Sequence, residues 1–454
     1  MRVSHLLFVP TNRLCEGAVH AYAREAQALE ETGRSFAFAL IESNEASHVT
    51  RHTELVRALR DRLDIPVIHF DLARQEAVLA TAVEEAMVDD ATASWARATL
   101  LPSRPSYGAG PTKAALLACL LGANNLHRRD SDTVPQNING SPLYPAELEV
   151  RVLGRRVHEA DSVVVGTEPA EREKTVLCTA TDYQGAPALD RGAFARLSVD
   201  LLIRHEELDH PDANPSDIRA RVDRKYVHRD QTGYSSDYLV IDDTGRGEMG
   251  ACAIANLFAI LPEMPLTETL GTDYFVRNLS FRMGLPVVYH SRRILHLESH
   301  DRDPRNNVDG FFQYSIREAR FKVLRRIWQA MNRHLDTVFD LRHADLQSFD
   351  SDLYARCADQ AVQEISDTEL LALIATLQGI FRDAAEAAVH LGDDDSPFWS
   401  VASYLQREAP TIVRSVQEGF RDYAQLVRLW PRLIEGVSNL TEKRRAKLEP
   451  VLLS

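Results

Sequence analysis

The octapeptide Leu126-His127-Arg128-Arg129-Asp130-Ser131-Asp132-Thr133 sets two acids one residue apart, where a short apolar run stops. It follows Thr112-Lys113-Ala114-Ala115-Leu116-Leu117-Ala118-Cys119-Leu120-Leu121, which reads as a helix closed by Gly122. A brief strand then brings Asp130 and Asp132 to a sheet edge. Side chains two apart in an extended chain point to the same side. Two carboxylates on one side of a strand end can hold a divalent cation through oxygen ligands, and such a cation could grip a diphosphate. Asp-x-Asp also occurs in ordinary solvated turns, so the pattern takes its meaning from its surroundings.

Upstream, strand and helix alternate. Leu6 to Pro10 and Phe36 to Ile41 are continuous apolar runs suited to strands buried on both faces, and Pro66 to Asp71 is a third strand. Helices are expected at Glu16–Glu31, Ala46–Leu63 and about Leu72–Leu100, with Asn44 as a helix cap. Strands spaced in this way are parallel and joined by crossover helices, and ligands bind beyond their carboxyl ends. Pro10-Thr11-Asn12-Arg13, Glu42-Ser43-Asn44 and Asp130-Ser131-Asp132 all lie at such ends. Neither G-x-G-x-x-G nor G-x-x-x-x-G-K-[ST] follows any of these N-terminal strands, which counts against a dinucleotide fold and a phosphate loop. Gly108-Ala109-Gly110-Pro111-Thr112-Lys113 has the wrong spacing for a phosphate loop and reads as a turn with a Thr-capped helix.

Helix, Gly122, short strand, Asp130-Ser131-Asp132 and Pro135 together resemble the nucleotide-sugar glycosyltransferases of the GT-A fold. Four pieces carry the resemblance in order: Phe8 to Arg13, the helix with the acidic pair, Leu270-Gly271-Thr272-Asp273, and His296. The resemblance covers roughly residues 1–310 and implies an α/β, Rossmann-like GT-A sheet with flanking helices. It divides the chain into a nucleotide-sugar half over about 1–140 and an acceptor half over about 141–310. Pro10, Thr11, Asn12, Arg13, Glu42, Lys113, Arg129 and Asp130 are then expected around the nucleotide sugar, Asp132 and His296 on a Mn²⁺ or Mg²⁺ ion, and Asp273 at the acceptor. An imidazole ligand tilts the choice toward Mn²⁺. His290 and His300 are alternatives to His296. Asp273 lacks the acid that usually precedes it, since Thr272 stands there, and reads equally as a helix N-cap. The arrangement is similar to mannosylglycerate synthase, which favours retention of the anomeric configuration. A sugar-phosphate nucleotidyltransferase and a non-catalytic scaffold on the same fold are the alternatives.

The region from Asp182 to Asp243 is polar and rich in His and Asp, but no zinc spacing such as H-E-x-x-H appears, so it reads as a solvated insertion. Ala251 to Leu261 is an apolar helix or strand, followed by a helix from Tyr274 to Met283 and a strand over Pro286–His290. Beyond residue 310 the pattern is all helical: Phe312–Phe339, Ser351–Ile365, Thr368–His390, Pro397–Glu408, Thr411–Leu429 and Thr441–Leu452. Residues 311–454 are expected to form a helical domain that could dimerise.

Bulk composition narrows the class. A length of 454 residues, 44% apolar and 26% charged, suits a globular protein of two or three domains. A net charge of −14 argues against a nucleic-acid partner. Five scattered cysteines with no C-x-x-C pair fit a reducing compartment. The N-terminal apolar run is too short for a signal peptide, and no run reaches the ~18 residues of a membrane helix, so a cytoplasmic location is expected. The expected substrates are a nucleoside-diphosphate sugar and a small-molecule or peptide acceptor.

Overall fold

The computed structural model describes every residue except 1, 44–47, 161–163, 166–171, 186–190, 211–212, 224–225, 227–233, 243–244, 246, 298–304, 306, 339–345, 347–348, 394 and 454. Asn44 and His300 therefore lie outside the described residues. The protein is mixed α/β, with a central mixed sheet and a helical C-terminal region.

The N-terminal half alternates as the apolar runs require. It comprises β1 (His5–Thr11), α1 (Glu16–Glu30), β2 (Phe36–Glu42), α2 (Val49–Arg60), β3 (Val67–Phe70), α3 (Leu72–Glu85), α4 (Asp90–Leu100), α5 (Ala109–Leu121) and β4 (Asn125–Arg129). Leu6, Leu7, Phe8 and Val9 are all buried, because helices cover both faces of the strand. Gly122 closes α5 with φ +74°, the left-handed conformation that a helix end favours. The single helix expected over 72–100 is instead two. Met87 turns the chain at φ +48°, and Asp89 caps α4 by accepting the Thr92 amide.

The later strands are β5 (Thr133–Ile138) and β6 (Ser141–Leu143), then, after α6 (Ala146–Val152), β7 (Val164–Val165), β8 (Cys178–Thr181), β9 (Tyr183–Gly185), β10 (Leu239–Ile241), β11 (Glu248–Ala255), β12 (Val287–His290) and β13 (Ile294–His296). Among the described residues the main sheet has nine strands, ordered β3-β2-β1-β4-β11-β8-β12-β10-β7. β1 to β4 run parallel to one another, and β11 lies antiparallel between β4 and β8. β2 and β3 lie on one side of β1 and β4 on the other, so the winding direction reverses between β1 and β4. A smaller sheet, ordered β6-β5-β13-β9, pairs His296 with Thr133 and so places β13 beside the end of β4.

Five helices follow, at Val308–Val338, Ser351–Glu364, Asp367–His390, Pro397–Ser438 and Glu442–Leu453. The break expected between Glu408 and Thr411 does not occur: Pro410 and Pro431 both lie inside one 42-residue helix. A proline removes one helical hydrogen bond. Here Val413, Val416, Phe420, Tyr423, Val427 and Trp430 are buried along the helix, and that packing holds it together across both prolines. This region is not a separate layer. Trp430 Nε1 donates to Phe258 O (3.1 Å), Tyr423 OH to Pro262 O (3.2 Å) and Arg445 Nη1 to Leu120 O (2.5 Å). One apolar core runs from Val3 to Leu452. No helix among the described residues is long and apolar enough to cross a membrane.

His5, at the start of β1, stacks on Phe36 with ring centroids 4.5 Å apart, and its Nδ1 lies 3.0 Å from His127 Nε2. Burial, with His127 beside it, lowers the His5 pKa to about 3. The unfolded chain then binds the extra proton below pH 6.5, so this group costs stability as pH falls from 6.5 toward 3. His5→Phe is expected to flatten the loss of stability between pH 7 and pH 5 by about 2 kcal/mol. Urea unfolding at the two pH values measures it, and an unchanged slope would show that His5 is not the group responsible.

Candidate active site

In open α/β sheets, ligands bind beyond the carboxyl ends of the strands, where the winding reverses. Here that point lies between Thr11 of β1 and Arg129 of β4. The chain leaves β1 through a tight turn: Thr11 Oγ1 donates to Arg13 O (2.7 Å) and accepts from Arg13 N (3.1 Å). The turn presents Arg13, 39% exposed, to Asp132, with Nη1 3.7 Å from Oδ2. Asn12 is partly exposed on the same turn, and Pro10 packs where a Cβ on Gly110 would press on it.

Asp130 to Asp132 form a turn rather than an extension of β4, closed by Thr133 N–H and Oγ1 donating to Asp130 O. The two acids therefore have different partners. Asp132 Oδ2 lies 3.6 Å from His296 Nε2, brought there by the pairing of β13 with β5. Asp130 Oδ1 accepts from Arg128 Nε (3.2 Å) and Nη2 (3.0 Å), and its Oδ2 accepts from Tyr183 OH (2.9 Å). The Tyr183 and His296 rings are 5.0 Å apart, so both acids share one wall.

Alternation along β4 separates the two arginines. Arg128 faces the cleft and bridges Asp130 to Asp273, with Nη1 2.6 Å from Asp273 Oδ2. Arg129, expected near the diphosphate, points the other way. It is fully buried with Glu25 and Glu149, 2.9 Å from each. Burial alone would push Glu149 up, but Arg129, a hydrogen bond from His127 and the nearby His290 ring hold it well below the usual carboxylate range. His290, an alternative to His296 in the sequence, belongs to this interior cluster: its Nε2 is 3.5 Å from Glu149 and it is wholly buried.

Asp273 does not cap the helix Phe275–Arg282. Glu263 does so, accepting from the amides of Phe275 (2.8 Å) and Val276 (3.3 Å). This leaves the Asp273 carboxylate to Arg128. Burial pushes Asp273 above the usual carboxylate range, against the pull of Arg128. Burial, with Asp273 nearby, pushes Glu263 up to about 8.

Glu42 and Lys113 also sit differently from the sequence expectation. Both are buried. Lys113 Nζ donates to the Glu42 carbonyl (3.1 Å) and to Gln75 Oε1 (2.9 Å), and burial lowers its pKa to about 7. The Glu42 carboxylate is enclosed by His48, His52 and His69.

A family model described as a family of unknown function (DUF6271) matches residues 4–446. The chain belongs to this family. No curated protein matches it. Family membership thus spans the sheet and the C-terminal helices alike, and the chemistry has to be argued from side chains.

In this DUF6271 chain, Tyr183, Gly250 and Glu263 complete the cleft, and the sequence alone did not single them out. Tyr183 comes from the polar region read as a solvated insertion. Gly250 is required by closeness: a Cβ there would overlap both Asp130 Oδ2 and the Tyr183 hydroxyl. Gly250→Ala is expected to displace the Asp130–Tyr183 pair and to cost about 1–3 kcal/mol. Thermal and urea unfolding check it, and a neutral substitution would mean that this wall is soft.

Proposed function

We propose that the protein is a metal-dependent glycosyltransferase that moves a sugar from a nucleoside-diphosphate sugar to a small-molecule or peptide acceptor. The observation that carries this reading is the meeting of Asp132 and His296, 3.6 Å apart, at the point where the parallel strands reverse their winding. The resemblance to GT-A enzymes supports the same assignment. The donor set suits Mn²⁺ or Mg²⁺, with the imidazole favouring Mn²⁺. His296 Nε2 faces the carboxylate, while its Nδ1 is buried and makes no hydrogen bond among the described residues. That ring therefore contributes little to the hydrogen bonding of the fold and is left for a ligand.

A cation held by Asp132 and His296 would offset the charge that develops on the departing diphosphate. Arg13, partly exposed on its turn beside Asp132, would meet the same diphosphate. Arg128 and Tyr183 hold Asp130 in one orientation, which suits it to bind a donor hydroxyl. Asp273 orients the acceptor hydroxyl, and in an inverting reaction its raised pKa suits it to take the proton.

The test is the melting temperature with UDP or GDP, with and without Mn²⁺, for the wild type and Asp132→Ala. A Mn²⁺-dependent rise that disappears in the variant is expected, and the responding nucleotide names the base. No shift with any nucleoside diphosphate in the presence of Mn²⁺ would overturn the proposal.

A further inference from the structure

We infer that Glu42, which the structure withdraws from the nucleotide-sugar site, forms with His52 and His69 a buried site for one transition-metal ion of the zinc class, separate from Asp132 and His296. The three side chains come from the end of β2, from α2 and from β3, and their donor atoms all lie within 4.8 Å of one another. Glu42 and His69 are 1% exposed and His52 is wholly buried. Glu42 Oε1 is 2.6 Å from His52 Nδ1 and 2.9 Å from His69 Nε2. Its other oxygen, Oε2, is 3.2 Å from His48 Nε2, a third nitrogen donor at the same carboxylate.

Charge and proton positions favour an ion. An ionised carboxylate at this depth needs a compensating cation. Among the described residues, its ion-pair partners are the three imidazoles. Lys113, the nearby lysine, spends its amine on the Glu42 carbonyl and on Gln75 instead. His69 is pre-set as a ligand. Thr53 Oγ1 donates to Val49 O (2.9 Å) and so accepts from His69 Nδ1 (3.1 Å). With its proton on Nδ1, a neutral His69 turns the Nε2 lone pair toward Glu42 Oε1, and either a second proton or a metal ion has to lie between them. This is the outer hydrogen-bond arrangement of metal-bound histidines, which fixes the tautomer and the ring. His52 Nε2 accepts the Cys15 amide (3.3 Å) and lies 3.8 Å from Cys15 Sγ. An ion on His52 Nδ1 would move the ring proton to Nε2, giving up the bond from the Cys15 amide and turning the N–H to Cys15 Sγ. Two or three imidazoles with one carboxylate match zinc and its first-row neighbours better than Mg²⁺ or Ca²⁺. Such an ion would tie α2 to the carboxyl ends of β2 and β3.

The probe is Co²⁺ on the full chain, followed by visible absorption. One equivalent is expected to give d–d bands of low coordination number in the wild type, and unchanged bands in the double variant Asp132→Asn, His296→Asn. His69→Asn should abolish them. Since His69→Asn could disturb the core, Thr53→Val is the second test: it leaves the ligands in place, removes the outer hydrogen bond, and should weaken Co²⁺ binding about 10–100-fold. Near-UV circular dichroism reports whether each variant is folded. The inference is overturned by a wild type without such bands, by bands that survive in a folded His69→Asn, by bands lost with Asp132 and His296, or by unchanged affinity in Thr53→Val.

Discussion

Arg191→Met is expected to lose about 3–5 kcal/mol of stability, the range for removing one partner from a buried ion cluster. Arg191 is 2% exposed and faces three acids. Its Nε donates to Glu318 Oε1 (2.6 Å), its Nη2 to Asp209 Oδ2 (2.8 Å), and its Nη1 pairs with Glu206. Among the three acids, Lys322 pairs with Asp209 (2.7 Å), and it also donates to His205 O (3.1 Å). The variant would therefore leave Glu318 and Glu206 short of positive charge in an apolar setting. Whole-domain stabilities are about 5–15 kcal/mol, so much of the margin would go. The effect should also depend on pH. Burial raises Asp209 and Glu318, but Lys322 and Arg191 more than reverse this, leaving both below their usual values. Their contribution is present above the unfolded carboxyl range, roughly pH 4, and is lost as pH falls below it. Arg191→Met should be less sensitive to acid between pH 5 and 3 than the wild type. Urea midpoints across that range measure both effects, and a loss under ~1 kcal/mol at pH 7 would show that the acids find other partners.

Arg128→Met should slow the proposed glycosyl transfer by a factor on the order of 10²–10³, the scale of removing one preorganised charge from a reacting centre. Arg128 holds Asp130 at 3.0 Å and Asp273 at 2.6 Å. Without it the two acids repel, Asp130 loses one of its two anchors, and Asp273 rises further above the carboxylate range. The pH profile should move to higher pH with the rate. Affinity for a nucleoside diphosphate with Mn²⁺ should change only a few-fold, because the proposed ligands Asp132 and His296 remain. Donor hydrolysis and transfer assays read the rate, and the thermal shift reads the affinity. A rate within threefold of wild type would remove Arg128 and Asp273 from the proposed chemistry.

The elements nearest the cleft were legible because their signals are local. Leu6 to Pro10 and Phe36 to Ile41 are apolar runs, and Gly122 marks a helix end. The proximity of His296 to Asp132 was within reach only through the resemblance to GT-A enzymes, which places a histidine after a late strand; the strand Ile294–His296 that delivers it carries no signal of its own. Arg128 and Arg129 show where local reading fails. They are adjacent and alike in sequence, and only the alternation of β4, with Glu25 and Glu149 behind it, tells cleft from interior. Glu42 ends a strand like a ligand-binding residue, yet its histidines come from α2 and β3, and that enclosure is a tertiary fact. Pro410 would end most helices. The packing that carries this one through it comes chiefly from the neighbouring C-terminal helices, with further contacts to α3 and α5 of the N-terminal half, where no local window could see them.

Those same contacts have a consequence for how the protein is made. Arg60 donates to Leu453 O at 2.6 Å, Arg444 pairs with Glu84 and Glu85, and Trp430 bonds Phe258. The apolar faces of α3 and α5 are thus closed by residues that leave the ribosome more than 300 positions later. At 5–20 residues per second, that delay is roughly 15–70 s. During it, a strand-rich first half sits with half its core uncovered, the situation in which unfinished chains stick to one another. Expression should therefore depend on chaperone supply and on slower growth more than the stability of the finished protein would suggest. Truncation near residue 310 should yield aggregate rather than a working half.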